Sequence, residues 1–225
     1  MPNTESVFIG TDAHLHRQLA TTLSPHGVYL GRRDPDSLQV GERIGPMSIA
    51  YVEFHPGWLP RVRRAITLKC GFVLPFCVVT PHPTVAAAVE SLRSGALDFL
   101  TSPIDPRRLL TNQVSGRQLA ERAWILAREW EAAAERIASI TPREMDVLEL
   151  VVAGRMNKQI ASALHISEKT VEAHRHRIMK RLQVQSTVEI VRFACRFMLD
   201  EDGQFSRQIV SRAPFGYRGD HWSLP

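Results

Sequence analysis

No run of apolar residues in this 225-residue sequence approaches the roughly 18 that a membrane-spanning helix requires. The opening MPNTESVFIG has no basic start followed by a long apolar stretch, so no secretory leader is expected and the expected location is the cytoplasm. Cysteine is scarce: Cys70, Cys77 and Cys195 form an odd set without a C-x-x-C pair, which argues against a disulfide framework or a zinc site. They read as small hydrophobes, with redox sensing by Cys70 and Cys77 as the alternative. A Gly-rich phosphate loop, a Ser/His/Asp set and metal-ligand spacing are missing too, and His14, His16, His55 and His82 suggest no common site. Neither an enzyme nor a cofactor is expected. What is present is a globular composition, 44% hydrophobic and 23% charged, over a length that suits two modest domains.

The net charge of +5 is modest but unevenly placed. Arg155, Lys158, Lys169, Arg175, Arg177, Lys180 and Arg181 stand against only Glu168 and Glu172, so this short stretch carries as much net charge as the whole chain. Such concentration points to an anionic partner.

Three regions and a tail follow from the pattern. In residues 1–104, apolar runs (SVFIG, PMSIAYVEF, PFCVVT, LDFL) alternate with helical stretches (HLHRQLATTL, LPRVRRAI, TVAAAVESLRSG). That alternation predicts βαβ units and a parallel sheet covered on both faces. Residues 105–138 are rich in Ala, Arg, Glu and Leu and predict a linker helix. Ala120, Ala123, Ala127, Trp130, Ala134 and Ile137 recur there at steps of three and four, as either a seam between two copies or a surface folded back on the chain's own domains. Residues 139–199 predict four helices. Thr141 with Glu144 and Ser186 with Glu189 form capping boxes, Gly154 ends the first helix, and Asn157 and Ser167 cap the second and third. The tail, 200–225, has no sustained period and is expected to be irregular, with Phe205, Phe215, Tyr217 and Trp222 able to dock.

Advancing about 100° per residue from Val171 brings Ile178 and Leu182 onto one inward face, flanked by His174 and Arg175. Lys169, Ala173, His176 and Lys180 fall opposite, bordered by Glu172 and Arg177, with Thr170 in the first turn. A small residue in a basic face lets the backbone approach a partner closely. Ahead of it, Asn157-Lys158-Gln159-Ile160-Ala161 puts an alanine where two steeply crossed helices must meet, and Ile166 wedges the turn. This is helix-turn-helix spacing, with the second helix suited to a major groove.

The run ITPREMDVLELVVAGRMNKQIASALHISEKTVEAHRHRIMKRLQVQS, Ile140 to Ser186, resembles the signature of the LuxR/FixJ/NarL-type DNA-binding domain. The resemblance implies an all-α four-helix domain. Bases would be read from Glu172, Ala173 and His176, and phosphates held by Lys158, Lys169, Thr170 and Lys180. The chemistry agrees: Lys and Thr suit phosphates, Glu172 can accept from a cytosine amino group, and Ala173 can touch a thymine methyl. Arg177 joins the DNA-facing set. Arg175 is ambiguous, since its stem can lie on the core while its guanidinium reaches a phosphate. His174 reads as a half-buried, hydrogen-bonded histidine. In this family the fourth helix, here with Val188, Val191, Ala194, Cys195 and Met198 on one side, commonly forms the dimer contact.

More weakly, VFIGTDAHLHRQL and SLRSGALDFLTSPID resemble a phosphoacceptor receiver domain, implying a flavodoxin-like fold with a five-stranded parallel sheet. The chain departs from that pattern where the chemistry lies. The acidic pair is Thr11 and Asp12, the acceptor falls on Val52 or Glu53, Thr80 is kept, and Ser102 stands at the lysine position. Magnesium would lose carboxylates there, so a pseudo-receiver not regulated by aspartyl phosphorylation is expected. Alternatives are that Glu53 imitates a phosphorylated aspartate, or that the pocket takes a small ligand, a partner or an oxidant at Cys77. The leading expectation is a dimeric transcriptional regulator on double-stranded promoter or operator DNA, with an RNA polymerase contact among its partners and no membrane. The alternative is an interaction module that sequesters a sensor kinase or another regulator.

Overall fold

The structure is a computed structural model that describes residues 4–34, 48–63, 74–200, 202–208, 217–218 and 221–222. Two compact units divide the chain, the first running to Ala127 and the second starting at Arg128.

Five strands build the first unit: β1 (Thr4–Ile9), β2 (Val28–Arg33), β3 (Ala50–Glu53), β4 (Phe76–Thr80) and β5 (Asp98–Thr101). They pair in parallel in the order β2-β1-β3-β4-β5, with Val7 opposite Ala50, Tyr51 opposite Cys77 and Val78 opposite Phe99. Every residue of β3 and β4 is buried, as central strands covered on both faces require. Side chains alternate across the sheet. Val7, Ile9, Ala50, Val52, Phe76, Val78 and Phe99 enter one core, and Phe8, Tyr51, Cys77, Val79 and Leu100 enter the other.

Helix α1 (Ala13–Leu23) starts where Asp12 Oδ1 accepts from the His14 and Leu15 N–H groups at 2.7 and 3.1 Å, and it buries Leu15, Leu19 and Leu23. Thr84 caps α2 (Val85–Arg93). Helix α3 (Pro106–Ala138) runs 33 residues. A buried polar chain fixes its start on the sheet: the Tyr51 hydroxyl donates to Gln113 Oε1 at 2.7 Å, and Gln113 Nε2 donates to Ser6 Oγ at 3.2 Å. Gly116 is packed so closely that a Cβ there would lie 2.6 Å from Ile49 Cδ1. Of the spaced residues along α3, Ala120 and Ala123 are buried in the first unit and Ile137 in the second, with Trp130 packed on the second core. The chain itself covers most of the seam.

The second unit adds α4 (Pro142–Val152), α5 (Asn157–Leu164), α6 (Glu168–Leu182) and α7 (Thr187–Phe197) around one core. The capping box at Thr141 and Glu144 is complete in both directions. Two other expected caps differ. Asn157 is the first residue of α5 rather than its cap, Met156 occupies the cap, and the Gln159 side chain accepts from the Met156 N–H at 3.0 Å. Ser186 Oγ accepts from the Glu189 N–H, but the Glu189 carboxylate reaches past the cap to the Gln185 N–H at 2.7 Å. The tail is ordered further than its sequence suggests. Asp200 Oδ1 accepts from the Asp202 and Gln204 N–H groups, Leu199 bridges to Phe205, and Phe205 packs on the core. Phe215 lies outside the described residues, and Tyr217 and Trp222 belong to a short antiparallel pair at Tyr217–Arg218 and His221–Trp222. Among the described residues, no helix is long and apolar enough to cross a membrane.

Candidate nucleic-acid interface and phosphoacceptor-like pocket

Helices α5 and α6 meet at a turn in which His165 takes a left-handed conformation, φ 54°, and the Ile166 N–H bonds the Ala161 carbonyl at 3.0 Å. Ala161 is buried between them, beside Ile160 and Val171. Ser167 caps α6 through the Thr170 N–H at 3.1 Å. Val171, Ile178 and Leu182 are fully buried, while Lys169, Glu172, Ala173, His176, Arg177 and Lys180 are exposed, and Thr170 is half-buried with its hydroxyl against Ser167.

Among the cations of this unit two sets stand out. Arg143, Arg175, Arg181, Arg196 and Arg207 are held internally. Arg181 bridges the buried Glu144 carboxylate at 3.1 Å and also meets the Ser139 carbonyl; Arg196 pairs with Glu129, and Arg207 with Asp146 and Glu149. Arg143 donates to the Leu164 carbonyl, and Arg175 to Asn157 Oδ1 and Thr187 Oγ1. The side chains of Lys158, Lys169, His176, Arg177 and Lys180, by contrast, enter no hydrogen bond or ion pair among the described residues. A cluster of cations lacking internal counterions is what phosphate binding needs. Burial pushes the Glu144 carboxyl up, but hydrogen bonds from the Thr141 N–H and hydroxyl, with Arg181 and His174 nearby, outweigh it and hold Glu144 below the usual carboxylate range. The half-buried His174 has no hydrogen-bond partner for Nδ1 among the described residues, contrary to the expectation of a bonded ring. Along α7 and its C-cap Met198, Ala194 and Met198 turn inward, whereas Val188 and Cys195 face out and Val191 lies between.

Residues 138–194 match the model of bacterial regulatory proteins of the luxR family. That segment of the second unit is a LuxR-family domain. With the receiver-type sheet before it, the chain is similar in make-up to LuxR/FixJ-type response regulators. Similar proteins include the transcriptional regulatory protein FixJ of Bradyrhizobium diazoefficiens, 38% identical over 54% of this chain and 60% of FixJ. Another is the tetrathionate response regulatory protein TtrR of Salmonella typhimurium, 36% identical over 55% of this chain and 58% of TtrR. The matched part thus spans somewhat over half the length of these curated relatives. The solved structure of the response regulator StyR aligns over 86% of this chain and 100% of its own, with 27% identity and a TM-score of 0.69.

In the receiver-type unit the strand order reverses between β1 and β3, and the C-terminal ends of strands at such a switch point are where sheets of this kind bind ligands. Glu53 ends β3 there and is buried, whereas Val52 lies in the core of the sheet. Glu53 Oε2 accepts from the Thr11 N–H at 2.6 Å and the Asp12 N–H at 3.0 Å. His55 Nε2 lies 3.1 Å from Glu53 Oε1 without hydrogen-bond alignment and stacks at 4.0 Å on Trp58. Gly10 leaves room for this carboxylate, since a Cβ there would stand 2.5 Å from Oε2. The Asp12 N–H points to Glu53, while the Asp12 carboxylate caps α1 through Oδ1. Thr80 Oγ1 accepts from the His82 N–H, and the Ser102 hydroxyl donates to Gln18, so neither bonds Glu53.

The receiver resemblance implies magnesium, but these donors do not fit it: the Glu53 carboxylate is already held by two N–H groups, the Asp12 carboxylate caps α1 through Oδ1, and Thr11 supplies no carboxylate. Cys77 is fully buried, and burial, with Asp98 nearby, pushes its thiol up to about 12. A thiol so placed is inert, so the oxidant reading at Cys77 does not hold; Cys70 lies outside the described residues.

Proposed function

We propose that the chain is a sequence-specific DNA-binding regulator of transcription that acts as a homodimer without aspartyl phosphorylation. One observation carries the DNA reading: the exposed edge of α6 holds Lys169, His176, Arg177 and Lys180 without internal partners, around the small Ala173, opposite a fully buried Val171, Ile178 and Leu182. Lys158, at the start of α5, extends that cationic edge. Lys169, Thr170, Lys158 and Lys180 hold phosphates, and Glu172, Ala173 and His176 face base edges. Outward-facing Val188 on α7 supports the homodimer.

Independence from phosphorylation is supported by Glu53, whose carboxylate closes on the loop after β1 and replaces an acceptor aspartate. Phosphomimicry gains no support, because the Thr80 hydroxyl engages His82 instead. The test incubates the full chain with Mg²⁺ and acetyl phosphate, weighs it intact, and footprints it on genomic fragments it has selected. The expected result is unchanged mass and the same protected inverted repeat with and without acetyl phosphate, with affinity falling steeply as salt rises. A gain of one phosphate that alters the footprint overturns the phosphorylation part, and failure to prefer any fragment overturns the DNA reading.

A further inference from the structure

We infer that Arg175 is a positioning residue: its guanidinium ties the groove-facing helix α6 to the first residues of α5 and α7 and does not contact DNA. The inference rests on the reading that α6 lies against the duplex.

Arg175 Nη1 donates to Asn157 Oδ1 at 3.0 Å, and Nη2 donates to Thr187 Oγ1 at 2.6 Å. Asn157 opens α5 and Thr187 opens α7. Helix N-termini carry partial positive charge, so Coulomb attraction does not draw a cation to either place. Directed hydrogen bonds hold it, and the planar fork of arginine makes both at once in a fixed geometry that the rotatable donors of lysine do not reproduce. On the helical wheel Arg175 lies only about 40° from Val171 at the centre of the buried face, whereas Lys180 lies about 180° away. A guanidinium anchored on that side is turned from the exposed edge that carries Ala173.

The consequence concerns specificity. Reading bases requires α6 to enter the groove at a fixed angle, and α7 carries the outward Val188 of the proposed dimer surface. Arg175 links the two, so the orientation of the reading helix relative to the partner half-site depends on it. Lys158, by contrast, has no internal bond and acts on phosphate directly.

The full-length chain is tested with Arg175→Lys, Arg175→Met and, as a control, Lys158→Ala. Binding is measured over a salt series to a labelled random-sequence duplex, and to a duplex that the unaltered chain has recovered from a random pool. Lys158→Ala is expected to reduce the salt slope by about 0.9, one phosphate contact. Both Arg175 variants are expected to keep the original slope while losing about tenfold of the preference for the recovered duplex, comparable to one good base contact. A slope loss with Arg175→Met matching that of Lys158→Ala overturns the inference, as does an unchanged preference with both variants. Thermal unfolding supplies a second arm that needs no DNA. The Tm losses of Arg175→Lys with Asn157→Ala, and of Arg175→Lys with Thr187→Ala, are expected not to add, because the second change removes a bond already broken. Strictly additive losses overturn the inference. An unchanged slope with Lys158→Ala instead overturns the placement of α5 and α6 on DNA, and the thermal arm then still decides the role of Arg175.

Discussion

Gly10 lies where an added methyl would stand 2.5 Å from Glu53 Oε2, 2.6 Å from Glu53 Cβ and 2.8 Å from Phe8 Cζ. None of these neighbours gives way easily: the carboxylate is pinned by two N–H groups and Phe8 is fully buried. Gly10→Ala is therefore expected to destabilise the first unit by about 1–3 kcal/mol, the usual result of overpacking, as read from urea unfolding; an unchanged midpoint would show that Glu53 is free to move aside. Glu144 makes a pH prediction. Its folded carboxyl is held below the ordinary value of 4.5. Its contribution to stability is therefore complete above that value and is lost as pH falls through it to the lower folded one. Glu144→Gln is expected to lose less of its urea midpoint than the unaltered chain between neutral and acid pH, and an equal loss in both would refute the role assigned to that carboxylate.

Among the elements, α6 has a small residue at the centre of its exposed edge. Ala173→Leu leaves every buried contact of the helix in place, since Ala173 faces out, but holds the backbone away from a groove. The variant is expected to keep its helical circular dichroism while its affinity for selected DNA drops at least about tenfold, the scale of one lost base contact; undiminished binding would mean that a different surface faces the duplex. The core of this helix was legible in the sequence because Val171, Ile178 and Leu182 repeat at helical spacing. So was the cap at Thr141, since a capping box is local. Asn157 was misread as a cap because its side chain answers a residue 18 positions ahead, Arg175, and no local pattern signals a pairing at that separation. Glu189 was misread for a smaller reason: its carboxylate reaches one residue past the cap, to Gln185.

For the whole molecule, the alternating apolar runs foretold a parallel sheet followed by a helical unit, because both periods are imposed by burial. The sequence could not show how Glu53 turns, since that depends on the loop after β1, or that Leu199 bridges to Phe205 so that Phe205 joins the second core. The cores themselves are separate sets: one set draws on residues from Val7 to Ala123, the other from Ala133 to Met198 with Phe205 packed on it. Each is closed by side chains of its own unit, so each can melt on its own account even though α3 runs through both. Calorimetry of the full chain is expected to show two transitions rather than one. Gly10→Ala should lower only the transition of the sheet-containing unit, and Glu144→Gln only that of the helical unit. Mutations at independent sites add and do not cross over, so the two shifts should remain separate in the double variant. A single cooperative transition that moves with both substitutions would show that the long helix makes the units one folding entity.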